Sequence, residues 1–328
     1  MRISGWLDPD QALLDERCPL PIDAPFTARM ARRWGVSPYQ LRMLVKEGYV
    51  RRVLRGVYAV AQARDDIGFR ATALGLVIPE SAVVTDRTAA WLHGVAILPR
   101  SAPYAPPPVS VFQTAGTRVR RPEVDGGLRT LAEHDVMVVG GVQVTTPLRT
   151  ALDLGRLLWR FDALAALDGF ARIGVARAAM AAEAERFKGY RGVVQLRALL
   201  PLIDGRSESA GESALRLHWH DALLPTPELQ LWVQDDCGAD LYRLDLALPD
   251  LRYAAEYDGE EFHGEEQERH DAERRGWLRE ERHWLVDVFR KQHVYGRNPS
   301  APDMLRAGVA RARRALGGWN PSWAPRRN

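Results

Sequence analysis

Between Leu241 and Arg275 the chain reads LYRLDLALPDLRYAAEYDGEEFHGEEQERHDAERR, and the residues able to do chemistry here are Asp245, Glu256, Asp258 and His263. Successive side chains of a strand point to opposite faces, so Glu256 and Asp258 share one face. Pro249-Asp250 is turn chemistry, and a hairpin folded there brings Asp245 beside Glu256. Carboxylates gathered at one sheet edge disfavour each other's ionisation, and a divalent cation is the usual remedy. Glu212, from the preceding helix, offers a third carboxylate. Such a set holding Mg2+ or Mn2+ polarises a phosphoryl oxygen and activates water. Asp258 or His263 then serves the water or the leaving group, and Arg274 contacts phosphate or pairs with Asp271. Each residue also has a plainer reading. Ser209-x-x-Glu212 is a capping box, Glu256 and Asp258 are charges guarding an edge strand, and Asp271 with Arg274 is an i,i+3 ion pair.

The elements that must position these residues follow from pattern. A helix capped by Ser209 precedes PELQLWVQ, which alternates like a strand. The hairpin comes next, followed by a helix over Arg269–Glu281, the strand HWLVDVF and a final helix over Pro302–Leu316. Helix, three strands, helix, strand is the order of a compact α/β domain.

A second set is cationic. Phe26–Val60 holds eight basic residues against one acid, whereas Asp258–Glu281 holds ten acids against four bases. Thr27 caps a helix running through Arg33, and Ser37-Pro38 is a cap followed by proline at the first helical position. Leu41, Leu44 and Val45 keep helical spacing up to Gly48, after which YVRRVLRGVYAV alternates around an Arg55-Gly56 turn. Helix, turn, helix, hairpin is the order of a winged helix-turn-helix. Its second helix exposes Tyr39, Arg42 and Lys46, and its wing Arg51, Arg52 and Arg55. Cations so spaced suit a DNA duplex, where they gain affinity by releasing counterions. The plainer reading is a solvated basic face or a module for protein contact.

Residues 63–203 carry helical and strand patterns, a Gly140-Gly141 hairpin turn and a helix opened by Thr146-Pro147, but no catalytic grammar. The 328 residues suffice for two or three domains, and the 46% apolar and 27% charged shares are ordinary for a globular protein. Cys18 and Cys237 form neither a zinc-type cluster nor a disulfide framework. The first residues lack a secretory pattern, and no apolar run reaches the ~18 residues of a membrane span. The expectation is a cytoplasmic protein with no membrane partner.

Two resemblances join these sets. A helix with Glu212, a strand with Asp245, E-x-D-G-x-x-x-H from Glu256 and D-x-x-R-x-x-x-L from Asp271 resemble the PD-(D/E)XK nuclease superfamily, in its very-short-patch-repair branch. That implies Asp245 and Glu256 as metal ligands, Glu212 as the helix-borne acid and His263 as acid/base. The superfamily's lysine position holds Asp258, and no lysine lies between Lys188 and Lys291. FTARMARRWGVSPYQLRMLVKEGYVRRVLRGVYAV, with TAAWLHG and GVQVTTPLRTALDLGR, is similar to AbiEi-type antitoxins, which implies a DNA-binding autoregulator with a cognate toxin as partner. The expected architecture is α/β and multidomain: an extension at 1–23, a winged helix-turn-helix at 24–62, an α+β antitoxin-like domain at 63–203, a restriction-endonuclease-like α/β domain at 204–297 and a helical tail at 298–328. The expected activity is Mg2+-dependent DNA cleavage; the alternative is an AbiEi-like antitoxin and regulator whose nuclease fold is inert.

Overall fold

The computed structural model describes residues 3–6, 13–97, 109–113, 124–259 and 265–317. The chain is mixed α/β with several sheets, and it divides into two compact units, Met1–Leu154 and Gly155–Asn328.

In the first unit, β1 (Phe26–Thr27), α1 (Ala28–Arg33), α2 (Pro38–Lys46), β2 (Val50–Leu54) and β3 (Val57–Val60) follow one another, with the strands in the order β1-β3-β2. Local chemistry starts each helix where the sequence expects it. The Thr27 hydroxyl accepts the Met30 N–H at 3.3 Å. At α2, Ser37 Oγ accepts the Gln40 N–H at 3.2 Å while the Gln40 side chain accepts the Ser37 N–H at 2.9 Å, a complete capping box with proline behind it. Leu54 pairs with Val57, leaving Arg55-Gly56 as a two-residue turn, and Gly56 takes a left-handed φ of 82° that glycine adopts without steric cost. Phe26, Ala31, Leu41, Leu44 and Val50 close a core beneath these elements.

Then come α3 (Ile67–Gly75), β4 (Val83–Val84), α4 (Asp86–Leu92), β5 (Val109–Gln113), β6 (Val124–Leu128), β7 (Val136–Val139), β8 (Val142–Thr145) and α5 (Pro147–Leu157), with the strands ordered β6-β5-β4-β8-β7. The β7–β8 hairpin turns at Gly140-Gly141 as expected. Beside it lies a buried charge network. Arg149 donates to Asp153 at 2.8 Å and to Asp135 at 2.6 Å, and Arg129 reaches Asp86 at 2.8 Å and Asp153 at 3.2 Å. Buried carboxylates are tolerated because each meets a guanidinium.

The second unit holds α6 (Arg160–Arg172), α7 (Arg177–Ala184), α8 (Val193–Leu199), α9 (Ala210–Asp221), β9 (Glu228–Gln234), β10 (Asp240–Leu248), β11 (Tyr253–Asp258), α10 (Glu265–Glu280), β12 (Leu285–Arg290), α11 (Lys291–Val294) and α12 (Ala301–Gly317). Its sheet runs β12-β11-β10-β9; the first three strands in sequence are antiparallel, while β12 returns through α10 to pair parallel with β11. α6 and α9 are tied by Asp168 and Arg216 at 2.5 Å. α12 is tied to the sheet through Asp287, which accepts from Tyr253 Oη at 3.0 Å and from Arg311 at 2.7 Å. Among the described residues no helix is long and apolar enough to cross a membrane.

Candidate functional sites: an acidic hairpin and a basic face

The hairpin expected from Pro249-Asp250 forms, and its register pairs Leu246 with Ala255 and Ala247 with Ala254. One step further along, Asp245 stands opposite Glu256. Asp245 Oδ2 accepts the Tyr257 N–H at 2.9 Å. Glu256 is 8% exposed and Glu212, on the first turn of α9, is 9% exposed. Only the Ser209 half of the anticipated capping box forms, because the Glu212 side chain reaches the N–H of Glu208 and not that of Ser209. Ser209 Oγ accepts the Glu212 N–H at 3.1 Å, and Glu212 Oε2 accepts both the Glu208 N–H at 2.9 Å and Gln230 Nε2 at 2.8 Å. Glycine at 211 lets this turn lie against the sheet, since a Cβ there would stand 1.9 Å from the Tyr257 ring.

Arg274 completes the arrangement. From α10 it forks onto Glu256, donating to Oε2 at 2.9 Å and Oε1 at 2.5 Å, and it also donates to the Arg243 carbonyl at 2.8 Å. Bidentate guanidinium–carboxylate pairs are among the strongest side-chain hydrogen bonds. Asp245 is left with less help. Burial, then the neighbouring Glu212 and Glu256, push its carboxyl up to about 7, against the pull of the Tyr257 N–H and Arg274. Asp258 is half-buried, 3.6 Å from Arg290 Nε. His263 and the side chain of Asp271 lie outside the described residues.

The structure therefore brings Asp245, Glu256 and Glu212 into one neighbourhood, but as donors they do not fit Mg2+ or Mn2+. Both oxygens of Glu256 are held by a fixed cation, and Glu212 Oε2 already accepts two donors. Among the described residues, these three do not offer three ligand atoms within 4.8 Å of one another. Arg274, expected at a phosphate or at Asp271, is engaged by Glu256.

The second set is a basic face. Tyr39 is 65% exposed, and Arg42, Lys46, Arg52 and Arg55 are also exposed. A groove of about 530 Å3 runs between α2 and the sheet, floored by Val36, Leu41 and Val45 and rimmed by Arg42, Lys46 and Arg52. Arg51 departs from the expected set. It is half-buried, donates to the Ala63 carbonyl at 3.2 Å and lies 5.2 Å from the Phe69 ring. Arg51 and Arg52 are consecutive in β2, so period two sends them to opposite faces; that alternation was the available signal. Exposed Arg29, Arg32 and Arg33 on α1 are further cations that the sequence set omitted.

Residues 25–61 match the family described as "Transcriptional regulator, AbiEi antitoxin", and residues 81–202 match "AbiEi antitoxin C-terminal domain". Two uncharacterized proteins, from two strains of Mycobacterium tuberculosis, are each 38% identical over 235 residues, which covers 68% of this chain and 79% of the relative. The domain matches overturn the expectation of a metal-dependent DNA endonuclease, because they fall on a regulator and antitoxin family. The physical reason agrees: the carboxylate expected to hold the metal is bound by Arg274. The chain belongs to the family of these mycobacterial proteins and carries the two AbiEi antitoxin domains.

Proposed function

We propose that this protein is a DNA-binding transcriptional regulator of the AbiEi antitoxin type, acting on the promoter of its own operon, with a cognate toxin as its protein partner. Residues 24–62 serve as a winged helix. α2 enters the major groove, with Tyr39 and Arg42 near its N-terminal half aimed at base edges and Lys46 at a phosphate. The β2–β3 hairpin is the wing, and Arg52 and Arg55 contact the flanking backbone. Arg51 takes no part, because its guanidinium is spent on Ala63 and Phe69.

The observation that carries this reading is the convergence of exposed Arg42, Lys46 and Arg52 on one groove, inside the segment that matches the regulator family. In the second unit, the order α9, β9, β10, β11, α10, β12 supports a restriction-endonuclease-like fold used as a scaffold, without phosphodiester chemistry. Mobility shift with the duplex upstream of its own gene tests the DNA reading. Arg42→Ala and Arg52→Ala should each weaken binding about tenfold, within the range for a lost base or phosphate contact. Wild-type affinity in both variants would sink it.

A further inference from the structure

The acidic hairpin carries the buried carboxylate of Glu256 beside Asp245, and DNA reading by the first unit makes no use of it. Glu212 and Glu256 both lie close to Asp245, and each is less than a tenth exposed. Buried charge of this kind persists only when something offsets it. The structure supplies that offset from within the chain. Arg274 presents two parallel N–H groups to the two oxygens of Glu256, at 2.9 and 2.5 Å. It is itself fixed at both ends: its Nη2 also donates to the Arg243 carbonyl at 2.8 Å, and its guanidinium lies 5.7 Å from the Tyr242 ring. A guanidinium anchored to strand backbone, aromatic face and carboxylate together is part of the packing and not a mobile surface cation.

We infer that Arg274 is a built-in counter-cation: it occupies the carboxylate of Glu256 in place of a divalent metal, so that the acidic hairpin is a metal-independent brace joining α10 to β10 and β11. The inference rests on the scaffold part of the proposed function, and its test reads metal and stability with no DNA present, so the two fail separately. Two consequences follow. The second unit needs no divalent cation to fold. Removing Arg274 costs far more than an exposed ion pair would, because Glu256 is left buried without its partner.

The test uses the full chain and four proteins: wild type, Arg274→Met, Glu256→Gln and the double variant. Methionine keeps the apolar stem while deleting the charge. Melting with chelator and with ~1 mM Mn2+ should give the same wild-type midpoint. Arg274→Met should fall by on the order of 10 °C, and adding Glu256→Gln to it should recover part of that loss. Electron paramagnetic resonance of free Mn2+ should show wild type and Glu256→Gln retaining the same amount. A saturable Mn2+ site in wild type that disappears in Glu256→Gln would overturn the inference. So would additive losses in the double variant, which would mean that the pair is not coupled. Should Arg274→Met fail to fold, Arg274→Lys reads the same point: a charge without the fork should melt between wild type and the values expected for Met.

Discussion

Asp245 makes the stability of the second unit depend on pH in a direction opposite to most carboxylates. Its ordinary value of 3.8 applies to the unfolded chain, and in the fold it stands at about 7. A group whose pKa is raised on folding holds its proton more tightly in the native state. Its stabilising contribution is therefore complete below about pH 4 and is lost as the pH rises through 7. At 1.36 kcal/mol per pH unit, the gap between 3.8 and about 7 is worth at most about 4 kcal/mol. Burial is the largest cause and Glu212 the next, so the effect belongs to the interior and should resist salt. Asp245→Asn isolates it. The amide is neutral at every pH and its oxygen can still accept the Tyr257 N–H. His93, His218 and His220, whose pKa values burial lowers, titrate in both proteins and cancel in the difference. Urea unfolding followed by tryptophan fluorescence at pH 5, 7 and 8.5 should show the variant gaining on wild type with each step, by a total of about 2–3 kcal/mol. A difference between the two that stays flat across this range would refute the assignment of a shared, poorly neutralised proton site.

Three other perturbations probe the frame. Gly211→Ala should cost about 3 kcal/mol or more and lower the melting midpoint, because the new Cβ meets the Tyr257 ring at 1.9–2.3 Å. Arg149→Met should destabilise the first unit by about 3–5 kcal/mol by stripping Asp135 of its 2.6 Å partner and loosening Asp153, read by chemical denaturation. Arg51→Ala should lower stability while leaving DNA affinity within about twofold, the reverse of Arg52→Ala; equal losses of affinity in both would place Arg51 on the DNA.

Much of this was legible in the sequence wherever one residue type dictates one local geometry. Thr27, Ser37-Pro38 and Ser209 start their helices as read, and Gly56 and Gly140-Gly141 turn their hairpins. The Asp245–Glu256 neighbourhood was legible too, because a turn and a period of two fix it. What escaped was decided by partners far along the chain. β4 is two residues long, and β6 reads VDGGL, with glycines that strand propensity disfavours; each exists through its neighbours in the sheet. D-x-x-R on α10 pointed to a partner within the helix, whereas Arg274 bonds Glu256, 18 residues away, a choice set by the packing of α10 on the sheet. That one bond turns a metal-site pattern into a salt-bridged core. Local spacing describes the carboxylates correctly and says nothing of the guanidinium that reaches them.

The basic face on α2 and the β2–β3 hairpin is the surface we propose for duplex DNA. Fluorescence anisotropy of a labelled duplex from the upstream region, titrated across ~50–300 mM salt, tests it most directly. With Lys46, Arg52 and Arg55 each offsetting a phosphate, log K should fall with log salt at a slope of roughly −2 to −3 per bound chain. Arg52→Ala should reduce that slope by about one, and Arg51→Ala should leave it unchanged. A salt-insensitive association, or a slope that Lys46→Ala and Arg52→Ala both fail to move, would overturn that assignment.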